Sequence, residues 1–262
     1  MTSVTNVTNG TGVARHEYCA IALADALRGS GEVLVSPIGV LPSIAARLAK
    51  LSFEPDLLLT DGVATLMANV PPVGVDNPEI VAEGYMPYRS IFDVVWSGRR
   101  HVIMGAGQID RFGNQNISAV GDWPRPSAQL LGMRGAPGNT INHATSYFVP
   151  GHTRRVFVDR VDVVSGVGYD RARALGVAAS RFHRLVRVVS NLGVFDFGGP
   201  DRSMRVRSLH PGVSWSDVER ATSFELAREP EIGATREPSA EELRLLREVV
   251  DPRGLGAKEI AQ

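Results

Sequence analysis

Cysteine is almost absent from this chain. The single Cys19 excludes an internal disulfide framework and offers no metal-ligand spacing. Its place in the helical run EYCAIALADAL suits a small buried hydrophobe. Lysine is nearly as scarce, at positions 50 and 258 only, so arginine supplies the positive charge. Lys plus Arg and Asp plus Glu both number 28, and a neutral chain lacks the basic stripe of a nucleic-acid binder. No apolar run approaches the roughly 20 residues that span a bilayer. The opening TSVTNVTNGTG has neither the basic start nor the apolar core of a signal peptide. These absences imply a cytoplasmic protein that binds neither nucleic acid nor membrane.

Familiar site motifs are missing too. Six histidines, at 16, 101, 143, 152, 183 and 210, show no metal-ligand spacing, and no elbow marks a serine hydrolase. The stretch GAGQID starts like a dinucleotide fingerprint after a strand, but Asp110 stands at the third glycine position and no helix pattern opens there. Neither a metal nor a nucleotide cofactor is expected.

What is present is an alternation. Residues 17–28 and 42–51 carry apolar positions at helical spacing, and residues 32–36 (EVLVS) and 56–60 (DLLLT) are short buried-type strands. Helix between apolar strands, twice over, predicts an α/β fold with a mostly parallel sheet flanked by helices. Residues 70–88 read as a loop, 90–96 as one or two helical turns, and 101–106 (HVIMGA) as a strand. Further strands are expected at 155–165, 185–190, 193–197 and 204–208. Ser214 caps a helix with Asp217 in its first turn, and Ser239 with Glu242 forms a capping box on a last helix ending near Asp251. We expect a disordered tail over residues 1–13 and a single α/β domain over 14–262, with a less ordered C-terminal extension.

The candidate site lies in residues 105–139, GAGQIDRFGNQNISAVGDWPRPSAQLLGMRGAPGN. Glycines where a strand ends let backbone approach a ligand and expose N–H donors, which makes Gly105, Ala106, Gly107 and Gln108 candidate substrate contacts. Arg134, inside GMRGAPG, has the planar fork that binds carboxylate or phosphate in a bidentate manner; the competing reading is a solvated surface arginine. In DRFGN, Asp110 and Gly113 read as a hairpin turn. The amides that follow, Gln115 and Asn116, are free to face a site. Asp61 follows a strand, where α/β sheets place ligand-binding residues. These residues describe a pocket without a complete catalytic set.

The order of LLLTDG, GAGQIDRFGNQN, GMRGAPGN, NLGVFDF and LHPGVSWSDVERATSFEL resembles the β subunit of class I CoA-transferases, over about residues 18–226. More narrowly, NLGVFDFGGPDRSMRV, GNTINHATSY and DRFGNQNIS resemble the β subunit of the actinobacterial hydrolase that opens the last steroid ring in cholesterol degradation. Transferases of this class carry, in a Ser-Glu-Asn-Gly-like turn, the glutamate that takes up acyl and CoA groups. That turn falls on Leu59, Thr60, Asp61 and Gly62, so Thr60 stands where the glutamate belongs and cannot form the thioester intermediate. A shift of one residue would put Asp61 there instead. The resemblance implies an α subunit whose glutamate is the base, an α2β2 heterotetramer, no catalytic residue certain in this chain, no cofactor, and a cyclic β-keto acyl-CoA as substrate. A CoA-transferase using Asp61 is the enzyme alternative, and a non-catalytic scaffold subunit is a third reading.

Overall fold

Residues 17–24 are apolar except for Glu17, and the chain buries all of them within α1 (Arg15–Asp25). The computed structural model describes residues 12–260, the side chains of Ile91 and Trp96 excepted. The tail expected over residues 1–13 therefore lies outside the described residues, apart from Gly12 and Val13. The chain folds as two compact units, one from residues 12–103 and 235–260, the other from residues 104–234.

In the first unit, β1 (Leu34–Pro37) leads into α2 (Val40–Ser52). Ile44, Ala45, Leu48 and Ala49 of α2 are buried, as are Tyr18, Ile21, Leu23 and Ala24 of α1, and burying such side chains is worth about 1.5–3 kcal/mol for each large one. Residues 56–60 are less regular than expected. They touch β1 through one parallel bridge, Leu34 to Leu58, and then turn back through an antiparallel bridge, Thr60 to Leu66. The expected loop over residues 70–88 contains a strand: β2 (Thr65–Met67) and β3 (Ala82–Tyr85) form an antiparallel ribbon. After α3 (Ser90–Ser97), β4 (Arg100–Met104) pairs in parallel with β1.

The second unit begins with two short antiparallel ribbons, β5 (Gln108–Ile109) with β6 (Gln115–Asn116) and β7 (Ala119–Val120) with β8 (Ala128–Gln129). After α4 (Ala136–Asn142), the strand β9 (Ala144–Val149) follows, then α5 (Tyr169–Ala174) and α6 (Val177–Ser180). β10 (Arg184–Ser190), β11 (Gly193–Asp196) and β12 (Arg205–Leu209) match the expected strands. α7 (Trp215–Ala221) starts at Ser214, whose Oγ accepts from Asp217 N at 3.3 Å. β13 (Ala227–Ala234) ends the unit. Parallel pairs are β1–β4, β9–β10 and β12–β13, against two antiparallel pairs through β11. The expected strand over residues 155–165 does not form. Its β-branched pattern gives way to an irregular path whose backbone bonds Ile109 through Val156 and Val158 and whose acidic side chains serve the neighbouring loop.

The chain returns to the first unit through α8 (Ala240–Arg244), capped as expected by Ser239, with Glu242 N donating to its Oγ at 3.1 Å. The helix widens into a π-helical turn at Leu245–Val250. Beyond Asp251, where the sequence pattern suggested no further element, α9 (Leu255–Ile260) forms because the Asp251 carboxylate accepts from Leu255 N and Gly256 N, both at 2.8 Å.

Two ion pairs tie this returning segment to α1, Arg236 with Asp25 and Arg247 with Glu17. Arg247 donates to both carboxylate oxygens of Glu17, at 2.6 and 2.9 Å, and the Glu17 side chain is only 4% exposed. Burial opposes its ionised form, yet Arg247 and Ala14 N outweigh that and hold its carboxyl below the usual range. Arg247→Ala leaves a buried carboxylate without its cation, and we expect it to lower the unfolding free energy by about 3 kcal/mol. Urea unfolding checks this, and a loss under about 1 kcal/mol would show the pair to be dispensable.

Candidate active site

The second unit opens on Gly105, Ala106 and Gly107, just past the end of β4. Their backbone is open, with the two glycines exposed. Gly107 N–H is already committed, donating to Asn116 O at 2.9 Å, and Gly105 O accepts from Gln115 Nε2. The expected turn at Asp110–Gly113 forms: Gly113 N donates to Asp110 O at 3.0 Å with Gly113 at φ +83°. A β-carbon there would also collide with Leu185 Cδ1 and the Phe197 ring, so only glycine fits.

Asp110 is buried, and its carboxylate accepts from Phe112 N, Asn114 N and Asn114 Nδ2 at 2.9–3.0 Å. Burial nevertheless pushes its carboxyl up to about 6, the Asn114 and Phe112 bonds acting against that shift and Asp170 with it. A carboxyl raised in the fold binds more protons than in the unfolded chain between about pH 4 and 6, so stability falls as pH rises through that window. We expect wild type to lose roughly 2–3 kcal/mol there relative to Asp110→Asn. Urea unfolding of both proteins from pH 4.5 to 7 measures the difference, and parallel pH profiles would remove Asp110 from this role.

Gln108 and Asn116, which the sequence reading set at the substrate, are placed among partners of their own loop. Both are buried and fully engaged inside the loop. Asn116 Nδ2 donates to Gln108 Oε1 at 2.8 Å and to Ala119 O at 2.7 Å, while its Oδ1 accepts from Ser118 N at 2.9 Å. Gln108 Nε2 donates to Asp162 Oδ2 at 2.9 Å, and Asp162 N returns a bond to Gln108 Oε1 at 3.0 Å. The two amides hold the loop in shape. Sequence reasoning missed the partners Asp162 and Ser165. The Asp162 carboxylate also accepts from Gly121 N at 2.8 Å, and Ser165 Oγ lies 2.7 Å from Ser118 Oγ. Both sit in the run read as a strand, which hid them.

Arg134 is exposed, one residue before the N-cap of α4, and its backbone adopts φ +49°. Among the described residues its guanidinium has no hydrogen-bond or ion-pair partner. A non-glycine residue in the left-handed region costs about 1–2 kcal/mol, and strain of this kind concentrates at functional sites.

Thr60 and Asp61 belong to the first unit. Asp61 Oδ1 accepts from Val63 N, Ala64 N and Thr65 N at 2.8, 2.9 and 3.1 Å. Burial would raise its carboxyl, but the Val63, Thr65 and Ala64 donors hold it below the usual range. Gly62 N donates to Thr60 Oγ1 at 3.3 Å. Asp61 borders a cavity of about 380 Å³ also lined by Arg47, Met67, Pro71 and Gly74. A carboxylate so stabilised by turn donors is a poor nucleophile, which weakens its use as a transferase glutamate.

No family model matches the chain. Over 251 residues it is 60% identical to the cholesterol ring-cleaving hydrolase IpdB subunit of Rhodococcus jostii (strain RHA1), spanning 96% of this chain and 98% of that one. The chain belongs to the IpdB family. Its fold agrees: the crystal structure of Rhodococcus jostii RHA1 IpdAB superposes with a TM-score of 0.89 at 60% identity, covering 95% of this chain and 98% of that one. A subunit of the 3-oxoadipate CoA-transferase of Pseudomonas knackmussii is a more distant relative, 30% identical over 242 residues, 88% of this chain and 91% of that one. The IpdB family thus has the CoA-transferase fold that the motif order suggested. No helix of the described residues is long and apolar enough to cross a membrane.

Proposed function

We propose that the chain is the β-type subunit of a heteromeric hydrolase that opens the last steroid ring of a cyclic β-keto acyl-CoA in cholesterol degradation. The observation that carries this reading is the 60% identity to an IpdB subunit across nearly the full length of both chains. The partner is an α-type subunit of the same superfamily, in an α2β2 assembly, and its glutamate serves as the base. The substrate's own thioester is the only CoA required, with no cofactor, and the enzyme works in the cytoplasm.

Water adds at the ring ketone, and the bond between that carbon and the carbon α to the thioester breaks. The electron pair of the broken bond becomes a thioester enolate, which takes a proton back at the α carbon to give the open-chain acyl-CoA, and the former ketone carbon becomes a carboxylate. Negative charge grows first on the attacked oxygen and then on the enolate. Backbone N–H groups at Gly105 and Ala106 are the candidate donors for that charge, at roughly 3 kcal/mol each, since Gly107 N–H is held by Asn116. Arg134 receives a substrate carboxylate or the thioester end in bidentate fashion, which is catalysis by positioning. In the first unit, Thr60 stands at the transferase glutamate position and offers no carboxylate there; Asp61 shapes the turn beside it.

The test is mass spectrometry of the substrate incubated in oxygen-18 water with this chain and its α-type partner. One labelled oxygen in a ring-opened product still joined to CoA is the expected result. Transfer of CoA to an added acid, or free CoA with the ring intact, would sink the proposal.

A further inference from the structure

The cavity beside Asp61 has a wall built from far along the chain. The segment that leads into Asp61 meets β1 through one parallel bridge at Leu58, and the cavity lies beyond its carboxyl end, where α/β folds place ligands. One side is formed by Pro71, Pro72, Gly74 and Val75, another by Arg47 of α2. Arg47 Nε donates to Pro71 O at 2.9 Å, tying the two sides together.

Four contacts from the C-terminal segment fix this wall. Val73 N donates to Val250 O at 2.8 Å. Arg253 Nη1 donates to Gly74 O. Leu255 packs so closely over Gly74 that a β-carbon there would collide with Leu255 Cδ1, and Gly74 is at φ +75°. The Glu259 carboxylate accepts from Val40 N and Leu41 N at the start of α2, the helix that carries Arg47. The turn at residues 71–75 has few bonds of its own, so its shape follows residues 250–255.

We propose that the cavity receives part of the acyl-CoA substrate and that Arg253 and Leu255 are positioning residues for it, holding residues 71–75 as its wall. The proposal rests on the functional reading above. Neither side chain lines the cavity; both act through Gly74. Loss of either loosens the wall and weakens substrate binding before it touches the chemical step.

Steady-state kinetics of the complex with its α-type partner, using the cyclic β-keto acyl-CoA, test this. Arg253→Ala and Leu255→Ala are each expected to raise KM by about fivefold to tenfold with kcat within about twofold of wild type, and Arg253→Lys and Leu255→Met to restore KM. The exposed Arg253 gives the same readout should Leu255→Ala fail to assemble. Unchanged KM in Arg253→Ala, or kcat and folded enzyme falling together at constant KM, overturns the positioning role. A wild-type complex that leaves the ring closed overturns the functional reading instead, so the two failures are told apart.

Discussion

Arg134→Ala in the assembled enzyme is expected to lower kcat/KM by roughly 10²- to 10³-fold, about 3–4 kcal/mol of transition-state binding, while the protein folds as before. The two halves of that expectation have separate causes. The side chain is exposed and makes no bond or ion pair among the described residues, so its removal breaks nothing within the chain. A guanidinium left unpartnered on a strained backbone, φ +49°, is free to meet a carboxylate or phosphate. Arg134→Gly sharpens the test. Glycine relieves the left-handed strain, worth about 1–2 kcal/mol, against an unfolded-chain entropy cost of about 0.4–1 kcal/mol. Its Tm should therefore equal or slightly exceed that of wild type while activity falls as far as in the alanine variant. Arg134→Lys keeps the charge and loses the fork, and should lie between, about tenfold down. Activity within about threefold of wild type in Arg134→Ala would remove this residue from the substrate site.

The sequence made local decisions legible and tertiary ones less so. α2 could be read because its burial follows 3.6-residue spacing, and the caps at Ser214 and Ser239 because hydroxyl and carboxylate act within three residues. β13 could not be read. AREPEIGA carries charges and Pro230 and resembles a loop, yet it pairs with β12 on one side only, where such residues are tolerated. The run over residues 155–165 misled in the opposite sense. Its valines have strand propensity, but Asp162 is drawn to Gln108 and Gly121, and side-chain partners 54 and 41 residues away have no signature in a local window. The same limit governs the site. The glycine loop and Arg134 stood out because glycine collars and lone arginines are visible in a string. What an amide bonds to is decided by segments distant in sequence, and Gln108 meets Asp162 from 54 residues away.

Asn116→Asp should have the largest effect on the fold. The change swaps one NH2 for an oxygen at a residue with no solvent exposure. Two donated bonds, to Gln108 Oε1 at 2.8 Å and Ala119 O at 2.7 Å, become contacts between acceptors. Neither of those partners is a cation, so the cost is that of an uncompensated buried charge, about 3–5 kcal/mol. For a chain of this size each kcal/mol moves Tm by about 2–4 °C, and a fall near 10 °C at pH 7 is expected. The effect reaches the site because Asn116 O holds Gly107 N–H, which fixes the backbone of the glycine turn. Acid should partly reverse it. An aspartate buried among acceptors has a raised pKa in the folded state, so its protonated form regains one donor, and the deficit against wild type should shrink as pH falls toward 5. Asn116→Ala separates charge from lost bonding: it removes the same two donated bonds without adding a carboxylate, and its deficit should not change with pH. Thermal melts of the three proteins at pH 5 and 7 decide the matter. An Asn116→Asp deficit as flat with pH as that of Asn116→Ala would mean that the carboxylate escapes to solvent and that the loop is held by something other than this amide.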